Sequence, residues 1–309
     1  MRKPRVIVNG EACYHVMSRC ALQTFLFEDE SKRMFVKMMR RAECFSGVHI
    51  INYCVMDNHF HILVRVPKKM EISEDTLRAR IEVLYGERSA SIIFSRWKDW
   101  EEQGNAKAAE AEKAAFRKRM FDLPEFMKTL KQRYSLWYRM AHGGIEGTIW
   151  QGAFHSVVVD DTPAALSTVS AYIDLNPVRA GIVDDASQYE WNGFGAMKRG
   201  SMVAKGGLMS IFADKDPKLA IYQSILQQKA PQGEQCAVPD AEAVAGANLR
   251  KRNRLISRGI AFGSEHFVRQ IIIASSGEKA SRTVPQAIGS GQQTLYCSGR
   301  RQTTNQGLA

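Results

Sequence analysis

Apolar positions along the chain change period several times, and each change marks an element. Residues 13–20 (CYHVMSRC) alternate and are rich in β-formers, which predicts a strand. The stretch EDESKRMFVKMMRRAECFSG opens on acidic capping residues and carries Met34, Phe35, Met38 and Met39 at helical spacing. It stops at Gly47, so it predicts a helix with a start and an end. Two strands follow, about 48–55 (VHIINYCV) and 59–66 (HFHILVRV), joined by the turn Met56-Asp57-Asn58. Strand–helix–strand–strand opens a ferredoxin-like fold, so the expected class is α+β, an antiparallel sheet with helices on one face.

Between 70 and 121 the composition turns to Glu, Lys, Arg and Ala, which predicts a solvated helical insertion leaving the core. At 122–141, Asp122 with Glu125 three residues later forms a capping-box pattern, and Pro124 suits a first turn. Phe126, Leu130, Tyr134 and Trp137 then make an apolar face, with Lys128, Lys131, Arg133 and Arg139 mostly off it. His142-Gly143-Gly144 ends this helix. A strand is expected around 154–159, then a helix capped by Asp161 or Thr162 that runs to about Asn176, where Pro177 helps to end it. These elements group into a domain at 1–184, a smaller, mostly helical C-terminal region at 185–275, and a tail at 276–309. Ser, Gly, Gln, Thr and Arg dominate the tail, which is expected to be disordered.

Charge adds the first functional hint. Lys and Arg number 43 against 32 Asp and Glu, a net +11 that favours polyanion partners without separating DNA from RNA. No apolar run approaches the roughly 20 residues that span a bilayer. The first residues, MRKPRVIVNGEACYH, lack the apolar core of a signal peptide, so a cytoplasmic location away from membranes is expected. Six cysteines without CxxC spacing read as reduced thiols rather than a disulfide framework or zinc site.

Candidate chemistry begins in CVMDNHFHILVRV, where His59 and His61 are two apart on a strand and therefore project from one face. Two imidazoles presented side by side can grip one divalent cation and leave positions for a phosphate oxygen. Taken alone, such a pair is more often two half-exposed strand residues. A second stretch, VSAYIDLNPVRAG, places Tyr172 and Asn176 four apart on one helical face. The phenol offers a nucleophile, although its ordinary pKa of about 10 demands a metal or base nearby. The amide oxygen of Asn176 offers a third ligand. Each element has a bland explanation by itself; together they are informative.

In these motifs the chain resembles the single-tyrosine transposases named for their His–hydrophobic–His pair, and among them the REP-associated tyrosine transposases. The resemblance is carried by YHVMSRC, MDNHFHILV, IWQGAFHSVVV and YIDLNPVRAGIV, in that order, over roughly residues 12–195 with a gap at the charged insertion. It implies cleavage and rejoining of single-stranded hairpin DNA through a 5′-phosphotyrosine, with Mg²⁺ or Mn²⁺ as cofactor. His59, His61 and Asn176 would then hold the metal, Tyr172 would be the nucleophile, and the protein would be associated with the nucleoid as a monomer or homodimer.

Some alternatives stay open at this level. Tyr134 and Tyr138 sit on a helix that follows the histidine strand more closely, and Tyr138 has His142 four residues later. Arg65, Lys128, Lys131, Arg133 and Arg139 are candidate DNA contacts or simply solvated cations. Trp150 and Phe154 suit either base stacking or the core. A non-catalytic binder of structured DNA or RNA is the competing function; in an RNA-binding sheet of this type aromatic residues, not histidines, would be expected on the exposed face.

Overall fold

Every side chain from Phe60 to Val64 in the third strand is buried, which explains why this stretch shows no simple alternation. The structure is a computed structural model of the chain and describes residues 6–21, 27–143, 147–212, 218–229, 256, 259–276, 285–288 and 294–298. Strands β1 (Ala12–Arg19), β2 (His49–Val55), β3 (His59–Val66) and β4 (His155–Val159) pair antiparallel in the order β2-β3-β1-β4. The expected α+β class and antiparallel core are therefore present.

Burial on both sides of β3 has a structural cause. Phe60 packs on Phe35 of helix α1 (Asp29–Ser46), ring centroids 4.6 Å apart, and α1 in turn packs against the helix at Leu123–Ala141. The next side chain along, His61, points the other way and meets Tyr172 on the helix at Pro163–Asp174. Helices thus lie on both faces of the sheet, not on one as expected. A strand buried twice loses the period-2 signal that would have shown the second layer.

The insertion is helical as expected, with α2 (Glu74–Tyr85), α3 (Glu87–Glu102) and α4 (Ala106–Lys118). It is more than a solvated excursion, because Leu77, Ile81, Leu84, Trp97 and Phe116 close a second small core against Phe45 of α1. The cations that suggested solvation partly serve this core: buried Lys113 donates to Glu74 and Glu101 at 2.8 and 2.9 Å. Helix α5 (Leu123–Ala141) begins as its sequence suggests, with Asp122 accepting from the Glu125 amide at 2.8 Å.

Helix α6 (Pro163–Asp174) is capped by Thr162, while the other candidate cap, Asp161, pairs with Arg65. It stops at Asp174, earlier than expected. Pro177 lies in the first turn of a further short helix, α7 (Asn176–Arg179), where its missing N–H leaves no hydrogen bond unmade.

Beyond residue 185 the chain adds to the same core. Helices α8 (Gly193–Lys198) and α9 (Met202–Met209) pack on β2, and α10 (Lys218–Lys229) packs on α6. The short strands β5 (Ala261–Gly263), β6 (Gln286–Ile288) and β7 (Leu295–Cys297) extend the sheet to the order β2-β3-β1-β4-β5-β7-β6. Helix α11 (Glu265–Ser276) covers β5. Within 185–275 the described residues add β5 to the helices, and in the stretch after 276, expected to be disordered, residues 286–288 and 295–297 form strands. Three-residue strands are too short to leave a period in a Ser- and Gly-rich sequence. Residues 277–284, 289–293 and 299–309, and the cations Arg250, Lys251, Arg252 and Arg254 of the C-terminal region, lie outside the described residues. Among the described cysteines all are free thiols.

Candidate functional site

Pairing fixes the two histidines on adjacent rungs of the sheet: His61 lies opposite Met17 and His59 opposite Arg19 of β1. Asn52 and Cys54 of β2 pair with Leu63 and His61, so all of these residues share one face. Helix α6 lies over that face and is pinned there by its last residue. Asn52 Nδ2 donates to Asp174 Oδ2 at 2.8 Å, the Tyr222 hydroxyl donates to the same oxygen, and the Phe194 amide donates to Oδ1 at 3.2 Å. Burial pushes the Asp174 carboxyl up to about 7, and these hydrogen bonds only partly offset it.

Two residues before Asp174, the Tyr172 ring stands edge-on to His61, centroids 5.7 Å apart, and edge-on to His15 at 5.8 Å. The His59 and His61 rings are themselves 5.1 Å apart. One chain therefore brings Tyr172 to the histidine pair with no exchange of elements from a second copy. The Arg179 guanidinium lies 5.1 Å from the centre of the Tyr172 ring and donates to the Tyr172 carbonyl at 2.9 Å. Asn176 Nδ2 donates to the carbonyls of Tyr172 and Ile173 at 2.8 and 3.2 Å. Its NH₂ group is committed to the helix end, which leaves the amide oxygen as the atom that can serve a ligand.

The imidazoles are held neutral. Burial lowers His59 to about 4, helped by Arg19; burial lowers His61 well below its ordinary value, helped by His15, His59, Arg19 and Arg179. Burial also lowers His15 to about 4. Neutral imidazole is the form that binds metal. His59 Nδ1 donates to Asn58 Oδ1 at 2.7 Å, so its Nε2 carries the lone pair. His15 Nε2 and His61 Nδ1 are 2.9 Å apart, and His15 Nδ1 is 3.0 Å from the Ile256 carbonyl.

Among the described residues no three His, Cys, Asp or Glu side chains gather as a metal site, so a cation on His59 and His61 would need a further donor of another kind, such as an amide oxygen. Two neutral nitrogens and an amide oxygen bring no negative charge, which suits a cation whose remaining positions go to phosphate oxygens.

These depressed histidines predict acid sensitivity. Their folded pKa values lie below the unfolded value of about 6.5, so their contribution is present above 6.5 and is lost as pH falls toward 4. Each buried neutral imidazole then costs about 1.4 kcal/mol per pH unit. Asp174 has the opposite slope over about 4 to 7, because its folded pKa is raised, and it offsets one of the three. Urea melts of metal-free protein are expected to show lower stability at pH 5 than at pH 7; equal midpoints would contradict the neutral assignments.

The remaining candidates separate cleanly. Lys128, Lys131 and Arg139 line a groove of about 700 Å³ between α5 and residues 148–154, walled by Trp150 and Phe154. That wall borders the histidine end of the sheet, since Cys20 bridges to Trp150 while the neighbouring Arg19 faces His59. Arg133 is elsewhere, its guanidinium 5.1 Å from the Tyr85 ring centre, where it packs α5 onto α2. Arg65 sits at the opposite end of β3 from His59, in a two-pronged pair with Asp161. Trp150 combines two roles: its ring packs on Phe60, and its Nε1 donates to Ser135 at 2.8 Å. Tyr134 and Tyr138 belong to the α1–α5 layer, across the sheet from the histidine pair, and Tyr138 stacks on His142 at 3.9 Å.

Sequence reasoning missed two neighbours of the site. His15 was visible as a histidine within the alternating CYHVMSRC strand, and Arg179 as the cation one helical turn after Asn176.

Fold and site together define an α+β protein with a His–hydrophobic–His pair on a central strand and a tyrosine on the helix above it. Residues 10–103 match the family model described as IS200-like transposase, which bears out the resemblance over that segment. The match includes both histidines and ends before Tyr172. The solved structure of the REP-associated tyrosine transposase bound to a REP hairpin aligns at 15% identity and a TM-score of 0.38, covering 70% of this chain and 92% of that one. No curated protein matches the chain. Among the described residues no helix is long and apolar enough to cross a membrane.

Proposed function

We propose that the protein is a metal-dependent tyrosine transposase that cleaves and rejoins single-stranded DNA beside hairpins. The observation that carries this reading is the Tyr172 ring edge-on to His61, 5.7 Å between centroids, on the face that His61 shares with His59. The match of residues 10–103 to IS200-like transposases supports it independently.

His59 and His61 would hold Mg²⁺ or Mn²⁺ through their Nε2 atoms and Asn176 through its amide oxygen. When bound, the ion supplies Lewis acidity at the scissile phosphate. Tyr172 Oη attacks phosphorus, the bond from phosphorus to the 3′-oxygen breaks, and the phenolic proton is replaced on the departing 3′-hydroxyl by way of solvent. A 5′-phosphotyrosine results. A second 3′-hydroxyl then attacks the same phosphorus and releases Tyr172, so one phosphodiester is exchanged for another without external energy. Arg179, over the ring and bonded to the helix end, holds Tyr172 in line. The test is a labelled hairpin oligonucleotide incubated with Mg²⁺ or Mn²⁺: an SDS-resistant, EDTA-sensitive adduct is expected. Tight binding with no adduct for any hairpin would instead favour a non-catalytic DNA binder.

The groove beside α5 suits an unpaired strand next to the cut, with cations for phosphates and an aromatic wall for bases. Lys128→Ala combined with Arg139→Ala is expected to weaken binding several-fold. The slope of log affinity against log salt should fall by roughly 1.4, about 0.7 per lost single-strand phosphate contact. An unchanged slope in a salt titration would remove the groove from the DNA path. Arg133→Ala is expected to leave that slope alone, since its partner is Tyr85.

A further inference from the structure

The rings of His15, His61 and Tyr172 stand in mutual contact, with centroids 5.1, 5.7 and 5.8 Å apart, and the histidine pair among them does more than pack. His15 is 2% exposed, on β1, and its two nitrogens face two different partners. The Ile256 carbonyl can only accept, so the proton of His15 sits on Nδ1, which donates across 3.0 Å. Neutral His15 then has a bare Nε2. That atom can only accept, so His61 Nδ1 must be the donor across the 2.9 Å between them. Neutral His61 is left with its lone pair on Nε2, the same nitrogen that the Asn58 contact frees on His59.

We propose that His15 is a positioning residue that fixes the tautomer and ring orientation of His61, presenting Nε2 to the metal and, through its edge contact, seating Tyr172 beside it. The inference rests on the metal-dependent reading above and assigns a role to a residue outside the ligand set. Both ligand histidines would be oriented by a partner on Nδ1, but by different means. Asn58 holds His59 from the adjacent turn, whereas His15 reaches His61 from the neighbouring strand. The chain from Ile256 to His15 to His61 also ties the C-terminal region to the metal face, because Ile256 lies 241 residues from His15. A partner of this kind raises ligand basicity and holds the ring so that its lone pair needs no reorientation on binding.

Two measurements on the full-length protein decide it. Long-range ¹H–¹⁵N spectra of the metal-free wild type are expected to show His61 protonated on Nδ1; protonation on Nε2 would overturn the proposal. Mn²⁺ binding, followed by electron paramagnetic resonance, is expected to weaken about 10- to 100-fold in His15→Phe. Most of that loss should return in His15→Gln, whose side-chain oxygen can still accept from His61. Equal losses in both variants would show a packing role only, and no loss in His15→Phe would show no role; either result overturns the proposal. If wild type itself binds no Mn²⁺ while His61 is protonated on Nδ1, it is the metal-dependent reading that fails. The tautomer measurement does not depend on either variant folding.

Discussion

Tyr172→Phe is expected to abolish the covalent adduct with hairpin DNA while leaving hairpin affinity within about twofold of wild type. The substitution deletes one oxygen and keeps the ring that lies against His15, His61 and Arg179, so the packing of α6 on the sheet survives. Losing the nucleophile removes the covalent route entirely, with no graded loss for a neighbour to rescue. Gel electrophoresis under denaturing conditions reads the adduct, and a filter-binding titration reads the affinity. Persistent adduct in Tyr172→Phe would redirect attention to Tyr138, whose stacking on His142 across the sheet gives it no approach to His59 and His61 without rearrangement. Tyr138→Phe is the matched control and should form adduct normally.

The second large effect is on stability. Asp174→Ala is expected to cost on the order of 3–5 kcal/mol, read as a fall in the urea midpoint. Removing the carboxylate strands the Tyr222 hydroxyl and the Phe194 amide and leaves the Asn52 amide with the Ser170 carbonyl at 3.2 Å, in a site where Asp174, Asn52, Tyr222 and Phe194 are at most 5% exposed. Each buried donor left without a partner costs about 1–3 kcal/mol, moderated where the groups find one another. Asp174→Asn, which keeps an acceptor oxygen, should cost much less. A small loss in Asp174→Ala would mean that α6 is held by apolar packing alone, through Val169 and Ile173.

Much of the sheet was legible because its strands are bounded by strong punctuation. The Asp57-Asn58 turn and Gly47 both mark real ends, the latter with a left-handed cap at φ 70°. Helix α5 was legible from Asp122 and Pro124. The site was legible in part for a different reason: His59 and His61 share a face by the geometry of any strand, whereas Tyr172 and Asn176, expected on one helix, fall on α6 and α7 on either side of Leu175. What no local pattern could supply was the relation between those two pairs, separated by more than a hundred residues and a three-helix insertion. His15 escaped notice because a single histidine in a strand carries no sign of the ring it will meet. The groups around Asp174 escaped because Asn52 and Tyr222 lie on elements whose placement is decided by tertiary packing. Arg65 and Arg133 had intramolecular partners that no local pattern announced, Asp161 and Tyr85.

The extension of the sheet beyond β4 bears on how copies of the chain can associate. The backbone edge of β4 that faces away from β1 is occupied: Val158 N–H donates to Ile260 at 3.0 Å and Asp160 N–H to Phe262 at 2.8 Å. At the opposite border of the sheet, Val55 N–H of β2 donates to Trp191 at 2.9 Å. Edge-to-edge strand addition, a common route to a continuous intermolecular sheet, is therefore closed at β4 and at the histidine end of β2. Among the described residues β6 forms the other border of the sheet, so a second copy joining in that manner would add there rather than at β4 or at the histidine end of β2.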